Sequence, residues 1–405
     1  MSRRSAPALD LDPFSDAFMA DPFAQHALIR EAGPIVFLER YGVWAIGRYD
    51  DVFAALMDWE TFISSAGVGI TDFRRDTPPR PPSIILEADP PLQTRTHRIL
   101  ARVLSPAALR SLRAAFEAEA EALVERIVAR GTIDGARDIA SAYPIKVFSD
   151  AVGLPSEGRD ILPTYGNMVF NFFGPHNARF EEAMANAPAV SKAIMALCDR
   201  SALTPGTLGA SIFAAHDGGE CTYEEAGMLV RSLLSAGLDT TVSAIACALV
   251  CFARFPEQWD RVRADPSIAR NAFDEAVRLE SPVQTFFRTA VKPVTTGDVE
   301  LDDGAKLLIF FASANRDPRK WEAPNAFDVT RKTGHHVGFG AGIHRCVGEM
   351  LSKLEGETLI GALARRVTRF ELTAEPTLRY NNTLRGYEAI PLRIHAAGQA
   401  NGKPT

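Results

Sequence analysis

Along most of the chain, apolar residues return every three or four positions, the period of a helix with one buried face. This spacing predicts helices over 91–103, 107–130, 140–152, 182–201, 222–254, 258–264, 268–280 and 346–366, and a short one over 22–31. Alternating or β-rich runs at 35–38, 43–46, 283–295, 306–311 and 368–394 predict short strands. Residues 64–83 fit neither period. They carry Gly67, Gly69, Pro78, Pro79, Pro81 and Pro82, and loops of that length are usually functional. Helices outnumber strands, and the strands gather towards the two ends. The expectation is one domain spanning 1–405, mainly α with small β-sheets, with frayed tails at 1–15 and 398–405.

Composition narrows the class. With 46% hydrophobic and 23% charged residues in 405, the chain can bury a large core. A net charge of −6 gives no overall attraction to nucleic acid or anionic membrane. The most membrane-like stretch, 232–252, has Asp239 as its single charge. An Asp at a bilayer centre costs about 2.5–3.5 kcal/mol, so a helix buried within the fold is the better reading. The five cysteines form no CxxC pair, which suits a reducing compartment. The N-terminal run lacks the apolar segment of a secretory signal. A cytoplasmic protein is expected.

One cysteine stands apart. Residues 338–348 place Gly338, Gly340 and Gly342 at intervals of two, then His344, Cys346 and Gly348. Such glycines let a backbone turn tightly and approach a flat ligand. Cys346 precedes the helix predicted to begin near 347, where free N–H groups and the helix dipole favour a thiolate. A thiolate there can serve as the axial ligand of a haem iron. Cys198, Cys221, Cys247 and Cys251 lack such a context and read as buried structural cysteines.

This segment resembles the haem-binding loop of the cytochrome P-450 superfamily, the haem-thiolate monooxygenases. Other landmarks follow in that family's order: Ala236-Gly237-Leu238-Asp239-Thr240-Thr241, Glu275-Ala276-Val277-Arg278, and Asn315-Arg316-Asp317-Pro318 with Trp321, Pro324, Phe327 and Asp328. The resemblance implies the P-450 fold, a triangular prism of helices with haem b between the long central helix and the Cys346 helix. It implies Cys346 as iron ligand, with Phe339, Gly340, Gly348 and Ala236 beside the haem. Arg288 and His344 are implied as partners of its propionates. The family usually adds a His and an Arg four residues apart after Asp-Pro-Pro. Here Asp89-Pro90-Pro91 is followed by Gln93 and His97, a departure that leaves both as candidates, with Arg98 a substitute. Asp239 and Thr240 match the acid–alcohol pair that delivers protons. Glu275 and Arg278, with Arg331, match a buried ion-pair network.

The 231–240 helix face sets a polar end beside a reactive one. Arg231, Ser232, Ser235, Ala236, Asp239 and Thr240 fall close together by helical spacing. Ser235 to Thr240 spans about 7.5 Å along the axis, comparable to one para-substituted ring. Arg80, Ser83, Ile85 and Leu86 come from the early loop, and Phe170, Phe173 and Phe286 could sandwich a flat ring. The set resembles a bacterial subfamily that oxidises para-substituted benzoates such as 4-methoxybenzoate, and the resemblance implies Val283 and Ala236 as further residues gripping the ring. The stretch 281–289 and Asn381-Asn382-Thr383-Leu384-Arg385-Gly386 support the same likeness. The implied reaction is oxygen insertion at the para group, giving O-demethylation or alkyl hydroxylation. Other small substrates (a cinnamic acid, a terpene, a fatty acid), a peroxygenase and a non-catalytic haem sensor are the alternatives.

Five arginines, Arg95, Arg98, Arg102, Arg110 and Arg113, lie between Asp89 and Glu117 with no acid among them. With Arg345 and Lys353 they predict a basic face for an acidic partner. No flavin- or nicotinamide-binding segment is visible. The resemblance therefore implies separate partners, a [2Fe-2S] ferredoxin and a flavin-dependent NAD(P)H ferredoxin reductase, acting on a monomer.

Overall fold

The six-strand sheet forms around Lys306–Phe310, a fully buried strand whose near-continuous apolar run suits a position between two neighbours. It pairs in parallel with Val43–Ile46 and antiparallel with Thr285–Ala290, setting Arg288 opposite Leu307 and Thr289 opposite Lys306. Val36–Leu38, Ala8–Leu9 and Phe62–Ile63 complete it. The computed structural model describes residues 6–78 and 80–396. Residues 6–15, part of the expected frayed tail, are tied into the fold. Ala8–Leu9 pairs with 37–38, Phe14 is buried, and Ser15 caps the helix Asp16–Ala20. Residues 1–5 and the 398–405 tail lie outside the described residues. Val367–Leu372, Pro391–Ala396 and Thr132–Asp134 form a second sheet, and Thr377–Tyr380 pairs with Arg385–Ala389.

Helices make up the rest, so the fold is mainly α with small sheets. The long central run starts at a capping box in which Thr222 and Glu225 satisfy each other's backbone N–H groups. It continues as Tyr223–Gly237 and Asp239–Arg254 with a break at Leu238. The break has local causes. Thr240 and Thr241 hydroxyls donate to the Ala236 and Gly237 carbonyls at 2.7 and 3.1 Å, competing with the helical ladder. Across Tyr223–Arg254 the composition could cross a membrane, yet 72% of its most apolar window is buried inside the protein. Small residues, Ala244, Ala246, Cys247, Ala248 and Cys251, let neighbours close in around it.

Most predicted helices are present: Pro22–Ala32, Leu92–Val103, Pro106–Arg130, Ala142–Val152, Pro256–Ala264, Ala269–Glu280 and Glu349–Arg366. The last begins at Glu349, after Cys346, with Gly348 at its N-cap. The helix expected over 182–201 is instead Ala178–Met184, Ala187–Leu197 and a turn at Arg200–Ala202. Pro188, without an N–H, fits the first turn of a new helix rather than a helix interior. Tyr49–Met57, Ile161–Phe172 and Leu208–Asp217 were not foreseen. In Ile161–Phe172, Gly166, two asparagines and aromatic residues disfavour helix, and tertiary burial overrides propensity.

Candidate active site

Cys346 sits on a loop held from within. Its N–H donates to Phe339 O at 2.9 Å, and Gly340 N–H to Val337 O at 2.9 Å. Gly340 and Gly342 adopt φ of 71° and 66°, the left-handed region that glycine enters without penalty. Gly342 also lies so close to Tyr49–Met57 that a Cβ would meet Leu56 O at 2.4 Å. Cys346 is exposed, unlike the other four cysteines, although protein surrounds it. Burial by those surroundings pushes its thiol up to about 11, with the Gly348 and Glu349 N–H groups pulling the other way. Phe339 is flanked by the His336 ring at 5.6 Å and the Lys353 ammonium at 5.1 Å. Lys353 and His336 in turn meet Asp274 at 2.8 and 3.0 Å. Burial opposes ionisation of Asp274, but His336 and Lys353 hold its carboxyl well below the usual range.

Behind this loop the predicted ion-pair network is assembled. Glu275 takes two bonds from Arg278, at 2.7 and 2.8 Å, and one from Arg331 at 3.0 Å. Arg278 spends its remaining donors on the carbonyls of Asn315, Pro324 and Ala326. Both Glu275 and Arg278 side chains are wholly buried, so the network fastens Ala269–Glu280 to the segment leading into the cysteine loop.

Arg288 presents the opposite case. It is buried, and it donates to Phe287 O at 2.8 Å. No carboxylate reaches it within ion-pair distance among the described residues. Burial pushes its guanidinium down to about 10, while Asp89 opposes this from farther off. His344 Nε2 is buried without a hydrogen-bond partner, 3.9 Å from Asp89 Oδ1, and desolvation lowers its pKa. Asp89 accepts the Ser64 and Ser65 N–H groups at 3.0 and 3.1 Å. Burial works to raise its carboxyl, yet His344 and these serines bring it down to about 2. An unspent buried cation and an orphaned imidazole are what an anionic group such as a haem propionate needs. With Cys346 and Ala236 both exposed, and Thr241 Oγ1 bonding Ser352 Oγ at 3.2 Å where the central and cysteine helices meet, the residues fit a haem. Gln93 departs from the expectation, because its amide nitrogen donates to Ile343 O at 2.6 Å and so ties its helix to the cysteine loop. His97 is half-buried.

Asp239 is almost fully buried. Arg379 donates to its Oδ1 at 3.2 Å and to Ser243 Oγ at 3.3 Å, while Oδ2 has no partner. Desolvation raises the Asp239 pKa, with Arg379 opposing. Gly166 makes room for it, since a Cβ there would lie 2.8 Å from the carboxyl group. Thr240 donates its proton to Ala236 O, which leaves its oxygen free to accept.

At the other end of this helix face the structure revises the expected carboxylate anchor. Arg80 is paired with Glu87 through two bonds, at 2.8 and 2.9 Å, and lies 4.4 Å over the Phe172 ring. Glu87 also accepts the Ser83 N–H at 2.8 Å. Arg80 therefore brings a compensated charge rather than a free one. Arg231, which donates to Pro81 O and Pro82 O, meets no acid among the described residues. Ser232 and Ser235 donate to the carbonyls of Met228 and Ser232, and Ser83 Oγ accepts from Leu86 N–H, so the serine oxygens keep acceptor capacity. The ring-gripping set is brought together. Phe173 lies edge-on to Phe286 at 5.4 Å and to Phe170 at 6.0 Å, and Val283 bridges to Leu384. Ile85 and Leu86 pack against the same core.

The basic face is also revised. Arg95 pairs with Glu225, Arg102 with Glu220, Arg113 with Glu117 and Glu357, Arg345 with Glu349, and Lys353 with Asp274 and Glu349. Arg98 and Arg110 stay exposed without a partner among the described residues. Glu87 and Arg379 were missed from the sequence. A Glu seven residues after Arg80 was a weak local signal, whereas nothing local links Arg379 to Asp239.

Residues 162–386, more than half of the chain, match the sequence profile described as Cytochrome P450. The chain is similar to cytochrome p450 CYP199A2 of Rhodopseudomonas palustris, 51% identical over 96% of this chain and 95% of that one. It is 32% identical to cytochrome P450 107B1 of Saccharopolyspora erythraea, over 95% and 98% of the two chains. Among solved structures, cytochrome P450 CREJ in complex with (4-ethylphenyl) dihydrogen phosphate superposes with a TM-score of 0.85. It is 26% identical and covers 95% of this chain and 99% of that one.

Proposed function

The chain belongs to the cytochrome P450 family, and within it we propose a ferredoxin-dependent monooxygenase that oxidises the para group of a substituted benzoate held by its carboxylate. Members of the family bind haem b through a cysteine thiolate and work with redox partners and O2. The bound haem supplies oxygen activation for insertion of one atom into a C–H bond. In this reading Cys346 would hold the haem iron as a thiolate. Arg288 would pair with the propionates, and His344 would donate a hydrogen bond to them.

The observation that carries the substrate reading is the order of groups along one helix face: Arg231, Ser232 and Ser235, then Ala236, then Asp239 and Thr240. A carboxylate at Arg231 and the serine oxygens leaves the para group at the acid–alcohol end, which is positioning in its plainest form. Arg80, compensated by Glu87, shapes the polar end and orients Ser83 rather than supplying net charge. Phe170, Phe173, Val283 and Phe286 hold the ring with Ile85 and Leu86. Asp239, its pKa raised and one oxygen unpartnered, can take and release a proton, and Thr240 can accept a hydrogen bond beside it. The para-substituted, anionic aryl ligand of CREJ supports this class. A 4-methoxy group hydroxylated at its methyl carbon collapses to a phenol and formaldehyde.

Arg98 and Arg110 are the uncompensated cations for a separate [2Fe-2S] ferredoxin, itself reduced by a flavin-dependent NAD(P)H reductase. The protein is read as a cytoplasmic monomer. The test is product formation from 4-methoxybenzoate, 3-methoxybenzoate and 4-methoxybenzamide with a supplied ferredoxin and reductase. The reading expects formaldehyde from the first and little from the others. Equal turnover of all three overturns the carboxylate anchor.

A further inference from the structure

Lys306 is a buried cation with an unusual set of neighbours. Its Nζ lies 3.1 Å from the carbonyl oxygens of Ala66, Gly67 and Gly69, and 2.9 Å from that of Thr71. No carboxylate lies within ion-pair distance of it among the described residues. An ammonium has three N–H groups, so four oxygens around it are held by the point charge as much as by single bonds. Four carbonyls from one six-residue stretch turned to a common centre repel one another unless a cation sits there.

The stretch they come from is tied to two of the proposed ring-holding elements. Outward from the cage, Ile70 N–H donates to Phe173 O at 3.0 Å, and Val68 O accepts from Phe287 N–H at 2.8 Å. Gly67 has φ of 92°, and a Cβ on Gly69 would strike the Phe173 backbone at 2.8 Å. Two consecutive links therefore run from the Lys306 charge, through residues 66–71, to Phe173 and to the strand carrying Phe286. Lys306 itself stands on the strand beside the one carrying Arg288, opposite Thr289. The charged groups that face it are Asp72, Arg74, Glu87 and Arg288. Asp72 is taken up by Arg74, and Glu87 by Arg80.

We propose that Lys306 is a tethered monovalent cation in a carbonyl cage, and that it acts as a positioning residue by holding residues 66–71 against Phe173 and Phe286. The cage is a property of the fold, while the effect on substrate rests on the benzoate reading above.

The experiment uses the haem-loaded enzyme and two variants, Lys306→Met and Lys306→Ala. Three things are measured: hydrogen–deuterium exchange over 64–76, the dissociation constant of 4-methoxybenzoate from the haem absorption, and kcat and KM for its turnover. In Lys306→Met the amides of this segment exchange at least tenfold faster, and the acid binds about tenfold more weakly with a smaller change in kcat than in KM. In Lys306→Ala, potassium or ammonium ions at tens of millimolar restore slow exchange and binding, and lithium does not. Wild-type exchange in Lys306→Met, or no response of Lys306→Ala to potassium, overturns the cage. Slow exchange lost without any change in affinity overturns the positioning role. If Lys306→Ala yields no folded protein, Lys306→Gln, which keeps two N–H donors without the charge, gives an intermediate exchange rate; wild-type rates there overturn the proposal. If the unmodified enzyme does not bind 4-methoxybenzoate, the benzoate reading fails, and the exchange and potassium arms still decide the cage.

Discussion

Two buried arginines ten residues apart show how differently one side chain can be used. Arg278 is wholly buried and meets Glu275 twice and three carbonyls besides. Arg288 is nearly as buried and reaches one neighbouring carbonyl. The first is complete within the protein and fastens helix to loop. The second carries a desolvation cost that Asp89 offsets only from farther off, beside an imidazole whose Nε2 lacks a hydrogen-bond partner. A fold tolerates such a cost where a ligand relieves it. The difference separates scaffold from cofactor site without reference to any relative.

The largest effect should come from breaking the completed network. Arg278→Leu leaves five acceptor contacts unfilled and is expected to destabilise the protein by about 3–5 kcal/mol, measured by urea unfolding of the haem-free protein. Arg288→Leu should behave in the opposite sense on that measurement, with stability unchanged or raised, because an uncompensated buried charge is removed. Its effect should fall on haem retention, at about 1.5–3 kcal/mol for a lost charge-assisted bond, or roughly 10–100-fold in transfer of haem to a competing apoprotein. Equal destabilisation by both substitutions would erase the contrast.

Asp89 sharpens the comparison through pH. Its folded carboxyl, held near 2, lies below the ordinary value near 4. The group therefore adds stability that is fully present above about pH 4 and is lost as pH falls through about 2. Asp89→Ala should cost about 2 kcal/mol at pH 7, and the gap from wild type should close progressively below pH 4.

The smallest effect concerns thiol access. In haem-free protein near neutral pH, Cys346 should alkylate slowly, since its thiol is pushed up to about 11. It should still outpace Cys198, which burial pushes up to about 12, and haem loading should protect it. Peptide mass mapping after timed iodoacetamide treatment reads both.

Legibility in the sequence followed the range of the interaction. The glycine-spaced cysteine loop and Glu275–Arg278 are local patterns, so their geometry could be anticipated from spacing. The central helix was legible from its period as one run over 222–254, while its break at Leu238 emerges only from the threonine hydroxyls that bond back to it. Partner choice among charges was not. Glu220, Glu225 and Glu357 neutralise three of the five 95–113 arginines from other elements, Glu349 takes Arg345, and Glu87 claims Arg80. Many acids could have filled those roles, and packing alone selects among them. The Lys306 cage left no trace at all, because backbone carbonyls have no sequence signature.

The most direct test of the central claim is a titration of the ferric haem-loaded protein with 4-methoxybenzoate and, separately, its neutral amide, following the Soret band. The account predicts a saturable low-spin to high-spin shift with the acid, at an affinity at least tenfold tighter than the amide's. A thiolate-haem spectrum that the acid leaves unmoved, or moves no better than the amide, would contradict it.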